Sequence, residues 1–261
     1  MEAKLLNFSE KFLKTANRTL DFFVMLTLVL ITVYAAYALW DNGMVYAAAE
    51  NVQLEMQQLK PTEENGHSFE ELLKINPDVV AWVTLDDTNI DYPIVQGKDN
   101  MEYVNKNVYG DFALAGSIFL DSRNDRHFTD TYSLLYGHNM AEGKMFGDLQ
   151  LYKEKEFFDA HLKGQLILPD TSYDLEIFSA ILVNSSDDYI FDPNAWDGDI
   201  EPLLQYAEEE SLFLQRDIFE KVQGLNGEAQ ILALTTCTYE FTDARTVLLA
   251  YMVPNNGGGA Q

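Results

Sequence analysis

The chain has 261 residues, 17 basic and 42 acidic, giving a formal net charge of −25 at pH 7. That acidity repels phosphate backbones and excludes nucleic acid as a partner. A hydrophobic content of 47% with 16 Phe and 14 Tyr supplies a sizeable core, while a single cysteine excludes an internal disulfide, a CxxC redox pair and a multi-cysteine zinc site. No metal-ligating constellation is visible in the sequence, so no metal and no cofactor is expected.

The first segment differs from the rest. Phe22 to Trp40, FFVMLTLVLITVYAAYALW, is an uncharged run of 19 residues, long enough as a helix nearly to cross a bilayer core of roughly 30 Å. Lys4, Lys11, Lys14 and Arg18 precede it and the next basic residue is Lys60. The positive-inside rule therefore keeps residues 1–21 in the cytoplasm and places everything after Trp40 outside, as in a single-pass type II membrane protein. Tyr34, Tyr37 and Trp40 suit the outer interface. A cleaved signal peptide ending at Ala47-Ala48-Ala49 is an alternative, although 19 apolar residues exceed an h-region of about 7–15. A buried core helix is the other, but it would rarely be uncharged on every face.

Residues 41–67 read as a stalk or linker: Ala47 to Leu59 as a short helix, then the turn-rich joint PTEENGHS, Pro61–Ser68. Ser68 with Glu71 has capping-box spacing for a helix over FEELLKIN, ended by Asn76-Pro77. Eight strand-like runs follow, rich in β-branched and aromatic residues and bounded by Gly, Pro, Asn and Asp: 79–85, 90–95, 116–121, 132–137, 164–169, 173–183, 229–237 and 245–253. They predict a mostly-β barrel or sandwich. Two stretches, 145–161 and 200–216, have helical spacing. The second lies in a long excursion from about Asn184 to Gly227, of the kind that forms lids or binding walls. Residues 254–261 read as a flexible tail.

Cys237 ends an apolar strand just before a polar turn, whereas an inert thiol more typically sits inside such a run. Arg245 begins the next strand, so a hairpin would bring the two side by side; a permanent cation there favours thiolate and can stabilise an oxyanion. The plainer alternative is that Arg245 pairs with Glu240 or Asp243. A cysteine nucleophile also wants an imidazole. His67 lies in the joint, His127 in a charged loop and His161 at the end of a helical stretch. His138 follows YSLLYG at the mouth of a strand, where a barrel presents catalytic groups; a surface or packed histidine is the alternative.

LLYGHNMAEGKMFGDLQLYKEKEFFDAH and LTTCTYEFTDAR resemble the His and Cys–Arg segments of class B sortases. KINPDVVAWVTLDDTNIDYPIVQGKDN and GSIFLDSRND resemble the family's N-terminal signature. The likeness runs from about Ser68 to Val253. One departure is Ala233, where the usual TLxTC pattern has Thr, and a modest packing effect is expected from it. The resemblance implies a closed eight-stranded β-barrel with N-terminal helices and a helix in the long loop before the Cys strand, preceded here by one transmembrane helix. It implies a catalytic domain over 68–253, with Cys237 as nucleophile, His138 as general acid/base and Arg245 as oxyanion-stabilising or substrate-orienting group. Asn100, Tyr136, Tyr189, Ile190 and Thr235 match substrate-groove positions, with ordinary packing the alternative for Tyr136 and Ile190. The implied partners are surface proteins with a C-terminal sorting signal, NPQTN-like or (S/P)PxTG-like, and an amine of the cell-wall precursor, for wall anchoring or pilus assembly. A hydrolytic wall peptidase using the same acyl-enzyme, or a non-enzymatic adhesin on a membrane stalk, are the rival readings.

Overall fold

The computed structural model of the chain describes residues 2–61, 69–196, 198–225, 227–237 and 244–255, with residues 2–11 and Cys237 described by backbone alone. The candidate cap Ser68, most of the joint containing His67, the turn containing Glu240 and Asp243, and the tail beyond Asn255 lie outside the described residues. The chain divides into two compact units, Met1–Ala47 and Ala48–Gln261.

Helix α1 spans Glu2–Gln57. Its apolar part lies within Phe12–Gln57, where an 18-residue window has mean hydropathy 2.3 and no buried residue. By length and composition this helix can cross a membrane. A separate stalk helix starting at Ala47 is not observed; Ala, Gln, Glu, Leu and Met around it are good helix formers and no proline intervenes before Pro61, so one helix continues. Helix α2, Phe69–Ile75, carries Glu70 and Glu71 in its first turn and Lys74 in its last, complementing its dipole.

Strands β1 (Val79–Leu85), β2 (Asp91–Val95), β3 (Ile118–Leu120) and β4 (Tyr132–Tyr136) follow. The first stretch with helical spacing, 145–161, divides into a 3-10 segment, Gly147–Lys153, and helix α3, Lys155–Ala160. Strands β5 (Lys163–Ile167) and β6 (Ser172–Asn184) form a hairpin. The excursion after β6 contains helices α4 (Asp188–Phe191) and α5 (Glu201–Glu210), strand β7 (Ser211–Leu214) and helix α6 (Arg216–Gln223). Strands β8 (Ile231–Cys237) and β9 (Ala244–Pro254) are the last elements among the described residues.

The sheet runs β5-β1-β2-β3-β4-β8-β9-β6, and the β5–β6 pairing closes it into a barrel of eight strands. β7 adds to β6 beside the closure, at residues 179–181. Sequence reading placed Ser211–Leu214 in a helix over 200–216. The helix stops at Glu210 because SLFL, short and apolar, pairs with the edge of β6 beyond its pairing with β5, while the other edge of β6 pairs with β9. The pairs β2–β3 and β4–β8 are parallel, the rest antiparallel.

One apolar cluster takes buried residues from all eight barrel strands, among them Val83, Ile94, Ile118, Leu135, Leu166, Ile177, Leu234 and Leu248, and is the barrel interior. Strand alternation sends the other face outward. There, Ile231, Ala233, Val247 and Leu249 are covered by Ile190, Trp196, Leu203, Leu204 and Phe219 of the excursion. Ala233, the departure from the usual pattern, is fully buried here. A third cluster joins Met56 at the end of α1, Phe69 and Leu72 of α2, and the outward Trp82, Val95 and Phe119. Covering each of these large apolar side chains is worth about 1.5–3 kcal/mol. The barrel wall is thus clad on two sides, and a groove is left between the claddings.

Candidate active site

The strand order makes β4, β8 and β9 neighbours. In the β8–β9 ladder Thr235 pairs with Val247, Thr236 with Thr246 and, last, Cys237 with Arg245. In the parallel β4–β8 ladder Tyr136 pairs with Thr235. The ladder takes one further step, because Gly137 N–H donates to the Thr235 carbonyl at 3.2 Å. His138 therefore leaves β4 beside the strand end that carries Cys237.

Two glycines make this arrangement possible. A Cβ on Gly137 would lie 2.5 Å from Ile118 Cδ1 and 2.7 Å from the Phe146 ring, so any larger residue would force these side chains to move where the chain leaves β4. Gly116 takes φ +61, and a side chain there would lie 2.4 Å from the Val104 carbonyl oxygen. That carbonyl is the partner of the imidazole: His138 Nε2 lies 2.8 Å from Val104 O. A carbonyl only accepts, so Nε2 carries the hydrogen, and in the neutral ring Nδ1 is the nitrogen left to exchange a proton.

A cavity of about 350 Å³ opens on the outer face at the ends of these strands. Its lining includes His138, Arg245, Thr235, Tyr136 and Asn100, five of the eight residues singled out in the sequence. Arg245 donates from Nη1 to the Ala244 carbonyl at 2.9 Å, and among the described residues no carboxylate pairs with it. Thr235 and Thr236 are buried, and among the described residues neither hydroxyl has a hydrogen-bond partner. Cys237 is placed by its backbone, one residue beyond Thr236 and opposite Arg245.

Tyr189 and Ile190 are not part of this lining. Ile190 is completely buried between the excursion and the barrel wall, with its carbonyl accepting from the Tyr132 hydroxyl at 2.9 Å. Its side chain is a packing residue. Tyr189 is half exposed and stacks on Tyr206 with ring centroids 5.0 Å apart.

The lining also contains Phe119 and Phe191, which the sequence did not single out. Phe119, Tyr136 and Phe191 form a stack, with centroids 5.2 Å apart for the first pair and 6.4 Å for the second. Behind Tyr136 lies Asp121, fully buried. Its carboxylate accepts from Tyr136 Oη at 3.0 Å, from Asn100 Nδ2 at 2.8 Å, and from Arg123 Nε and Nη2 at 2.9 and 2.8 Å. Burial pushes this carboxyl up, but the Arg123 side chain and backbone N–H and the Asn100 amide outweigh it and hold it below its ordinary value. Burial, then the Asp121 charge, push the Tyr136 phenol well above its ordinary value, so it stays a donor. A signal for this cluster was present in FLDSRND, a carboxylate at a strand end with an arginine two residues on. The Val104 carbonyl is a backbone group and left no signal.

The model of the Sortase domain matches residues 83–253. The chain is 34% identical over 226 residues to sortase B of Listeria monocytogenes, covering 82% of this chain and 89% of that protein. Sortase B of Bacillus anthracis is similar in structure, with TM-score 0.67 and 33% identity over 81% of this chain and 99% of that one. A Streptococcus pyogenes class B sortase involved in pilus biogenesis gives TM-score 0.64 and 36% identity, over 70% and 97% of the two chains. Fold and relatives define a cysteine transpeptidase of the cell wall. The chain belongs to the sortase family, in its class B branch.

Proposed function

We propose that this chain is a membrane-anchored transpeptidase in which Cys237, His138 and Arg245 carry the reaction. The observation behind this reading is the convergence of three strand ends: Arg245 and His138 line one cavity, and Cys237 is the ladder partner of Arg245.

In the first half-reaction His138 takes the Cys237 thiol proton on Nδ1, and the resulting thiolate attacks the carbonyl of Thr in a C-terminal sorting signal. A C–S bond forms and the carbonyl becomes a tetrahedral oxyanion, which the Arg245 guanidinium stabilises. The C–N bond then breaks as His138 delivers a proton from Nδ1 to the leaving amine. The product is a thioester on Cys237. In the second half-reaction an amine of the wall precursor attacks that thioester, gives up a proton to His138, and expels the thiolate. The Nε2–H bond to Val104 supports this assignment, since it holds the ring with the other nitrogen available.

Residues 22–40 cross the membrane with residues 1–21 in the cytoplasm, 41–67 form the connection, 68–253 the catalytic domain and 254–261 a tail. This topology holds enzyme, membrane-retained substrate and lipid-linked acceptor on one surface, raising their effective concentration. The substrates are surface proteins with NPQTN-like or (S/P)PxTG-like signals, and the similar streptococcal protein supports a role in pilus assembly as well as wall anchoring.

The test uses the full-length chain in detergent with peptides carrying NPQTN or SPxTG cores, with and without an added amine nucleophile. The expected product is cleaved after Thr and carries the amine. Cleavage with water as the only acceptor would make the enzyme a hydrolase, and activity unchanged in Cys237→Ala would overturn the mechanism.

A further inference from the structure

The sulfur chemistry makes no use of Arg123, yet this side chain engages with all three guanidinium nitrogens. Nε and Nη2 donate to the two oxygens of buried Asp121. Nη2 also donates to the Phe191 carbonyl at 2.6 Å, and Nη1 to Asp192 Oδ1 at 3.4 Å. One planar fork thus joins the loop after β3 to the end of α4, in the excursion. A lysine could not do this, because its single ammonium cannot hold a carboxylate bidentately and reach a second segment.

What the fork links is two segments that line the cavity. Asp121 fixes Tyr136 and Asn100 on the barrel side. Phe191, whose carbonyl Arg123 grips, also lines the cavity, with its ring stacked on Tyr136 at an interplanar angle of 18°. Ile190 anchors the same helix from below through Tyr132, so the excursion is attached without Arg123. Arg123 instead governs where the rim of that helix ends. It does not itself line the cavity.

We propose that Arg123 is a positioning residue that sets the distance between Tyr136 and Phe191, and thereby the grip of the groove on the peptide. The inference rests on the transpeptidase reading. It assigns Arg123 to substrate binding rather than to the chemical step, because the bonds it makes lie behind the walls and touch none of the reacting groups. Phe191 is the wall through which it acts.

The experiment is a double-mutant cycle in the full-length chain in detergent, with Arg123→Lys, Phe191→Ala and the pair, assayed on quenched fluorescent NPQTN and SPxTG peptides. Arg123→Lys keeps a positive charge beside buried Asp121, so it folds where Arg123→Ala would leave a buried carboxylate unpaired. The expected result is a KM raised about tenfold in each single variant with kcat within about twofold, and a double variant no worse than the weaker single. Asp192→Asn, at the long contact, stays near wild type. An unchanged KM in Arg123→Lys overturns the proposal. So does a fall in kcat at constant KM with a lowered Tm, the signature of a lost folded fraction, and so do additive effects in the double variant. A wild-type chain that cleaves none of the peptides overturns the transpeptidase reading and this proposal together; a wild type that cleaves them while Arg123→Lys keeps its KM overturns the positioning role alone.

Discussion

Cys237 and Arg245 are partners in the last rung of the β8–β9 ladder, and the Arg245 side chain lines the same cavity as His138. Antiparallel pairing puts paired Cα atoms roughly 4.5–5.5 Å apart. The cation's position beside the cysteine is therefore set by backbone register.

Arg245→Ala is expected to lower kcat for peptide cleavage by about 10²–10³-fold, the usual cost of a lost oxyanion donor. Arg245→Lys recovers only part of it, since the shorter, pointlike ammonium cannot reproduce the planar fork. Steady-state kinetics on the three proteins check this. A variant whose loss falls wholly in KM would mean that Arg245 orients substrate instead.

Gly137→Ala is expected to cost about 1–3 kcal/mol of stability, the usual range for overpacking. The added Cβ meets Ile118 and Phe146 at 2.5 and 2.7 Å. Since His138 is the next residue, activity should fall further than the folded fraction does. Thermal denaturation together with kcat on the same sample separates the two effects.

The eight barrel strands were legible from the sequence because each is a short apolar run closed by turn residues. The cysteine–arginine pairing was legible because β8 and β9 are consecutive and form a hairpin. The parallel pairing of β4 with β8, which brings His138 to them, joins strands about a hundred residues apart, and no local pattern encodes it. Residue placement in the excursion was harder still. Ile190 and Tyr189 are neighbours in a helix of four residues, and only the packing partners decide that one is buried and the other exposed. Helix α6 leaves a weak sequence signal because its apolar positions, Ile218, Phe219 and Val222, are few among charged residues.

That contrast gives a prediction. Ile190→Ala is expected to lose about 2–5 kcal/mol, as for other fully buried aliphatic side chains. Tyr189→Ala removes a half-exposed ring and its stack on Tyr206, worth about 0.5–1.5 kcal/mol. Denaturant midpoints of the two variants check the order, and equal losses would contradict the packing described.

Asp121 predicts a pH dependence of stability. Its carboxyl is held below the ordinary value, about 3.9 for an aspartate, in the folded chain. A depressed folded value contributes stability above the unfolded value and loses it as pH falls through the folded one. Asp121→Asn is therefore expected to cost about 1.5–3 kcal/mol at pH 7, the worth of hydrogen bonds to a charged group. The gap from wild type should narrow as pH drops below about 4. Melting curves between pH 3 and 7 for both proteins, with those bounds set by the roughly 3.9 reference value, give the comparison.

The most direct measurement is the intact mass of the full-length chain after brief reaction with a sorting-signal peptide and no amine acceptor. The predicted result is an adduct equal to the peptide segment ending in Thr, mapped by digestion to Cys237, abolished in Cys237→Ala and discharged by added amine. Cleavage at the wild-type rate by Cys237→Ala, or an adduct on any other residue, would contradict it.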